Sequence, residues 1–280
     1  MRPSRRPPIP QNSSADETIQ ALLNATVSRR FNIARLRPGD LPPGQRFETV
    51  RDVRERRDQA VGRCTAIEGL GFLAEQLESC TLEAPCMSVS CPRCGRKFRR
   101  WIVAQALPFY RKLDLQWVTV ALELVPADRL IEVDLLKLKR RTSQRIRRTA
   151  PSASVVLGGI EAEYLADEDA FLVHGHFLIS RLPKEEEAAF RAAFRKIDRA
   201  HPVRIDPLND PLKQISYSFK YATYYRPGKQ TGPYRPRPVP LPDGPLMDLS
   251  IWRAHYTFLD FVFMMGVRRR GGALLHVSQR

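Results

Sequence analysis

Residues 152–180 read SASVVLGGIEAEYLADEDAFLVHGHFLIS, and their pattern decides the fold class. Ser152–Leu165 and Phe171–Ser180 are strand-like runs rich in β-branched and aromatic residues. The link between them, Ala166-Asp-Glu-Asp-Ala170, is short and acidic, so the runs are expected to fold back as an antiparallel hairpin. Side chains alternate across a strand with a period of two. Phe171, Val173, Phe177 and Ile179 then take one face, and Leu172, His174, His176 and Leu178 the other. Two imidazoles at i and i+2 are close enough to share a cation. On the preceding strand Glu161 and Glu163 also share a face, and hairpin pairing can bring either beside the histidines. Two imidazoles and a carboxylate, with coordination positions left over, suit a divalent ion that handles phosphate oxygen. Taken alone, such a histidine pair is also ordinary strand content.

Working outward, Leu115–Glu123 reads as another strand. Asp128 to Thr149 reads as a helix, with Ile131, Leu135, Leu138 and Ile146 at helical spacing after Pro126. Its second half carries Lys137, Lys139, Arg140, Arg141, Arg145, Arg147 and Arg148, seven cations in twelve residues. They repel one another, and a polyanion such as nucleic acid relieves that repulsion; a merely solvated face is the bland alternative. Downstream, NDPLKQISYSFKYATYY (209–225) reads as a helix capped by Asn209 with Pro211 in its first turn. On it Tyr217, Lys220 and Tyr221 stand at i, i+3 and i+4, on one face. A phenol is a poor nucleophile at its ordinary pKa of about 10, and a nearby ammonium or metal ion favours the phenolate. The Pro-rich stretch Arg226–Pro245 excludes a helix or central strand. Leu249–Met265 is strongly apolar and reads as a buried helix, ended by Arg268-Arg269-Arg270-Gly271-Gly272.

Over 280 residues the formal net charge is +16, which again points to a polyanionic partner. An apolar fraction of 43% is enough for a core. No apolar run is long enough to span a membrane, and MRPSRRPPIPQNSS lacks the apolar stretch of a secretory signal. A cytoplasmic protein with no membrane partner is expected. Four of the five cysteines, Cys80, Cys86, Cys91 and Cys94, lie in CTLEAPCMSVSCPRC. Cys91-Pro-Arg-Cys94 is a knuckle that lets two thiolates bind one tetrahedral metal. With Cys64 left over, structural zinc is favoured over a disulfide framework. Four thiolates leave zinc no open position, so it takes no part in catalysis. Arg96, Lys97, Arg99 and Arg100 follow, interleaved with Phe98 and Trp101. That mixture suits phosphate contact and base stacking, or else a solvated helix face with two core aromatics.

In this order, a strand at Trp117–Glu123, a hairpin with His174-Gly-His176 and a helix with Tyr217-Ser-Phe-Lys220-Tyr221 resemble the HUH endonuclease superfamily. Within it the chain looks most like the rolling-circle replication initiators of plasmids and phages. The family motif has a bulky apolar residue between its histidines, where this chain has Gly175. The resemblance covers about residues 115–225. It implies an α+β fold, with helices packed on one face of a central antiparallel sheet and the active site on the other. It further implies Mg2+ or Mn2+ held by His174, His176 and Glu161 or Glu163. Glu161 is preferred because Gly-Ile-Glu resembles the family's acidic strand. Tyr217 would attack a phosphodiester of single-stranded or hairpin DNA at a replication origin, leaving a 5′-phosphotyrosine, with Lys220 orienting the phosphate. Tyr221 would be a second nucleophile or a packing residue. Expected DNA contacts are Arg96, Lys97, Arg99, Arg100, Lys137, Arg140, Arg141, Arg145 and Arg148. No phosphate-binding loop of the helicase kind occurs in the sequence, so unwinding would fall to a separate host helicase. A transposase or mobilisation relaxase would use the same chemistry; a non-enzymatic zinc-containing DNA-binding regulator would use none of it. The expected organisation is a flexible basic arm (1–45), a helical region with the four-cysteine zinc knuckle (46–112), a nuclease core (113–226), a Pro-rich linker (227–245) and a C-terminal helix with basic tail (246–280).

Overall fold

The computed structural model describes residues 36, 48–194, 202–221, 223–227, 237–270 and 273–277. The expected basic arm, apart from residue 36, lies outside them. So do residues 228–236 of the expected linker and the last three residues.

Three helices come first: α1 (Val50–Ala66), α2 (Gly71–Glu78) and α3 (Pro92–Lys112). Thr49 and Asp52 cap α1 reciprocally, satisfying amide groups that the first turn leaves without partners. Next come β1 (Leu115–Pro126), a 3-10 turn (Ala127–Glu132), α4 (Leu135–Thr149), β2 (Val156–Leu165) and β3 (Ala170–Ser180). The helix expected from Asp128 starts late because the Asp134 carboxylate accepts the amides of Leu136 and Lys137, fixing the start of α4 there. After α5 (Lys184–Ala193) come β4 (Val203–Asp206) and α6 (Pro211–Tyr217). The short strands β5 (Tyr224–Tyr225) and β6 (Val239–Pro240) pair with each other. Then come α7 (Asp243–Ala254), β7 (Val262–Met265) and a hairpin of β8 (Val267–Arg270) and β9 (Ala273–His276).

Five strands form one antiparallel sheet in the order β4-β1-β3-β2-β7. The chain run β1-α4-β2-β3-α5-β4 places β3 between the two strands that precede it.

The C-terminal expectation needs correction. Leu249–Met265 is not one helix. Helix α7 ends at Ala254, and Thr257–Asp260 makes a turn in which the Asp260 carboxylate accepts the Thr257 amide (2.7 Å). The remaining apolar residues form β7, which pairs with β2 (Val156↔Met265, Gly159↔Val262). A short apolar run with both faces covered carries no period that separates strand from helix. Helix α7 also begins at Asp243, inside the Pro-rich stretch, with Pro245 in its first turn where proline is tolerated.

Pairing divides the sheet into two sides. Phe177 faces Val118 and Gly158 across the ladder, and Ile179 faces Val156, itself opposite Met265. This is the back. Ser143 of α4 reaches Met265 (3.8 Å), and Arg141, on the other flank of the same helix, reaches Glu123 of β1 (3.1 Å). Helix α4 therefore lies across the back, with Arg145 over the Phe194 ring at the end of α5 (4.9 Å). The front carries His174, His176, Thr119, Glu161 and Gly159. Part of it is covered by α3 and by the segment following α6, through the contact of Phe98 with Phe219 (6.4 Å). Helices thus sit on both sides, rather than on one face alone.

Candidate metal centre and tyrosine

His174 and His176 are placed by the middle strand of the sheet, flanked on both sides. Ala121 and Glu161 oppose His174, while Thr119 and Gly159 oppose His176. One oxygen of Glu161 lies 2.9 Å from His174 Nε2 and 3.3 Å from His176 Nε2. The three groups offer ligand atoms within 4.8 Å of one another, a set that could hold a metal ion. Glu163 stands farther out, 3.8 Å from His174 Nδ1 with its side chain 42% exposed, against 12% for Glu161.

The donor set fits a cation. The Nδ1 of His176 is engaged by the Thr119 hydroxyl at 2.9 Å, and its ring stacks on Trp117 (5.6 Å, 14°). Its Nε2 is buried without an aligned hydrogen-bond partner, although Glu161 is near. Burial lowers the pKa of this imidazole, opposed by the nearby Glu161 carboxylate and aided by the charge of His174. That direction favours the neutral ring, the form that ligates a metal. Burial pushes the Glu161 carboxyl up, yet the hydrogen bond with His174 and the nearness of His176 outweigh it and hold the group at about 2. Arg253 of α7 is buried as well. Burial draws its guanidinium down to about 10, against the favourable charges of Glu161 and Tyr221.

Helix α6 is shorter than the sequence pattern implies. Asp210, not Asn209, caps it by accepting the Lys213 amide (3.1 Å), and it ends at Tyr217. Beyond it the chain lies flat against the sheet. A Cβ on Gly159 would come 1.8 Å from the Ser218 carbonyl oxygen, so only glycine permits this approach. The Ser218 hydroxyl donates to the His176 carbonyl oxygen (3.2 Å). Tyr217 is set with its ring edge-on to His176 (5.0 Å, 74°) and is half exposed. The Lys220 ammonium lies 5.7 Å from the Tyr217 ring and 4.5 Å from the Tyr224 ring. Burial, then the Glu161 and Glu163 carboxylates, push the Tyr217 phenol up to about 12.

Tyr221 does not join Tyr217. With the helix ended, its ring turns into the aromatic cluster of Phe98, Phe258 and Phe261, and its hydroxyl is buried. Burial raises its pKa far above the ordinary range. Of the two readings of Tyr221, second nucleophile or packing residue, its place among these rings fits packing. Gly175 has a packing reason too. A Cβ there would meet the Phe177 ring at 2.1 Å, so that ring fills the space a bulky middle residue would take.

The four-cysteine group is assembled. The sulfurs of Cys80 and Cys94, Cys86 and Cys94, and Cys80 and Cys91 are each 3.7 Å apart. Tetrahedral zinc with bonds of ~2.3 Å separates its sulfurs by about 3.8 Å, so the group could bind a metal such as zinc. Cys91 caps α3, which puts Cys94 in its first turn. Cys64 stands apart and buried, its thiol pushed up to about 11 by burial.

The basic segment of α3 is not an open stacking surface. Phe98 and Trp101 are core residues. Arg99 is buried and paired with Glu48, and Arg96 donates to the Glu48 carbonyl (2.8 Å). Lys97 and Arg100 are half-buried. Along α4, Arg145 is half-buried over Phe194, and Lys139 donates to the Asp260 carbonyl (2.9 Å). Lys137, Arg140, Arg141, Arg147 and Arg148 are exposed.

Sequence reasoning missed Thr119, Trp117, Gly159 and Ser218. The first three follow from strand register, which a sequence fixes only once strand neighbours are known. Ser218 carried no signal. Comparison with family models, with curated proteins and with solved structures finds no match. Among the described residues, no helix is long and apolar enough to cross a membrane.

Proposed function

We propose that the chain is a metal-dependent HUH-type endonuclease that nicks and rejoins single-stranded DNA through Tyr217, in the manner of rolling-circle initiators. The observation that carries the reading is the meeting of Glu161, His174 and His176 around one point, with the Tyr217 ring against His176. The run β1-α4-β2-β3-α5-β4, a split β-α-β arrangement, supports it.

Glu161, His174 and His176 would hold Mg2+ or Mn2+. Such an ion polarises the scissile phosphate and offsets the negative charge that develops on it. Its charge would also counter the Glu161 field that now raises the Tyr217 phenol. Tyr217 Oη forms the bond to phosphorus, and the bond from phosphorus to the 3′ oxygen breaks. The phenolic proton passes, in net, to the departing oxygen, which leaves as a 3′-hydroxyl. The 5′-phosphate stays on Tyr217, and attack by a 3′-hydroxyl reverses every step. Lys220 places a positive charge beside the phosphate. Thr119 and Trp117 hold His176 with Nε2 inward. Structural zinc in the four-cysteine group would stay outside the reaction.

The test is incubation with single-stranded and hairpin oligonucleotides and Mn2+, followed by denaturing electrophoresis. A covalent protein–DNA adduct is expected, abolished by EDTA and by Tyr217→Phe and retained by Tyr221→Phe. An adduct that survives Tyr217→Phe would move the nucleophile. No adduct on any substrate would leave a DNA-binding regulator bearing the four-cysteine knot as the better reading.

A further inference from the structure

Helix α4 carries a charge arrangement that the nicking centre does not use. Its buried residues Leu135, Leu138, Thr142 and Ile146 face the sheet. Its exposed residues are Lys137, Arg140, Arg141, Gln144, Arg147 and Arg148, which recur at three- and four-residue steps and so form one stripe. At 1.5 Å per residue the stripe is about 16 Å long. Arg141 leans to Glu123. Among the described residues, no carboxylate pairs with Lys137, Arg140, Arg147 or Arg148, and α4 contains no acidic residue of its own. Uncompensated like charge at this density is a standing repulsion that a polyanion removes.

The stripe is on the wrong side for the strand being cut. Helix α4 crosses the back of the sheet, as its contacts with Met265 and Glu123 fix, while the histidines, Glu161 and Tyr217 are on the front. The thickness of the sheet and a helix of about 10–12 Å diameter separate the two. A short single strand seated at Tyr217 cannot also lie along the stripe.

The chemistry of the two faces differs as well. The front presents aromatic rings, with Tyr217 half exposed and Tyr224 beside Lys220, as single-stranded nucleic acid requires for stacking. The exposed side of α4 has cations and one glutamine but no aromatic residue. It can contact phosphates and has nothing on which to stack bases.

From this we infer that the outer stripe of α4 is a second DNA site, for the phosphate backbone of a duplex arm, separate from the single-strand site. The inference deepens the proposed function, from which it takes only that the polyanion is DNA. A duplex offers one charge per ~1.7 Å of axis, enough to meet the whole stripe at once. The protein then holds duplex on its back while the strand to be cut occupies its front.

The test uses the full chain in EDTA, so no nicking chemistry enters. Anisotropy titrations compare a 20-bp duplex with a 12-nucleotide single strand, for the wild type and for Lys137→Ala/Arg140→Ala/Arg147→Ala/Arg148→Ala. These side chains are exposed, and thermal melting checks that the fold is kept. Duplex affinity is expected to fall at least tenfold, with single-strand affinity changing less than threefold. Four lost phosphate contacts should also flatten the duplex slope of log K against log salt by roughly 3 to 4. Unchanged duplex affinity would overturn the inference. Equal losses for both ligands would overturn it too, making the stripe part of a single-strand path. Absence of a covalent adduct in the nicking test would leave this result standing, so the two proposals fail separately.

Discussion

Thr119 is the side chain on which the state of His176 turns. Its hydroxyl holds Nδ1 at 2.9 Å, so the other ring nitrogen is the one aimed at Glu161. Outer partners of this kind fix the ring orientation of a ligating histidine, and losing one costs about 10–100-fold in metal affinity. Thr119→Val keeps the shape and removes the bond. It should weaken Mn2+ binding to the front site by about that factor, measured by electron paramagnetic resonance titration without DNA, and Thr119→Ser should restore it. Equal affinity in all three proteins would mean that Thr119 only packs. At this scale the sequence was partly legible. The pairing of His174 with His176, and a carboxylate of β2 beside them, follow from period-two alternation and a short hairpin link, both local properties; the choice of Glu161 over Glu163 came from the family resemblance. Thr119 is 57 residues from His176, and nothing local marks it. Tyr221 misled because i, i+4 spacing implies a shared face only while the helix continues, and α6 ends at Tyr217.

The placement of the tyrosine depends on how closely one element approaches another. Gly159 in β2 lets the backbone after α6 touch the sheet, and no side chain fits between them. Gly159→Ala must push back the Ser218 carbonyl, and with it Tyr217, one residue away. Overpacking of this kind costs about 1–3 kcal/mol, which lowers Tm by roughly 3–10 °C in a chain of this size. Adduct formation should fall more than tenfold, because small displacements of a reacting group carry large rate losses. Mn2+ binding should change much less, because His174, His176 and Glu161 are held by their own strands. Unchanged adduct yield would show that the close approach does not position the nucleophile. The same elements show what a pattern conveys. The β2-β3 hairpin was readable because its turn lies between two runs of matching composition. Strand β7 was not, because an apolar run covered on both sides has no polar face to reveal its period. The only local clue to the break was Thr257-Phe-Leu-Asp260, a turn held by its own carboxylate.

Across the whole molecule, the four-cysteine group and the front site are joined by one aromatic cluster. Cys91 and Cys94 fix the start of α3, and Phe98, one turn on, packs against Phe219, Tyr221 and Phe258. Phe219 and Tyr221 flank Lys220, two and four residues after Tyr217. The four-cysteine group therefore braces the segment that carries Tyr217 through these rings. Cys94→Ser removes one of four ligands and should release close to one equivalent of zinc per chain, read by elemental analysis. The first turn of α3 then loses its anchor. A loss of several kcal/mol, at ~2–4 °C per kcal/mol, puts the fall in Tm at about 10 °C. Adduct formation should drop in the fraction that stays folded, while Mn2+ affinity at His174 and His176 is kept, since β3 and its paired neighbours β1 and β2 hold those side chains. Unchanged zinc content would remove Cys94 from the ligand set. Zinc loss with full adduct yield would make the knot a stabilising clasp with no hold on Tyr217.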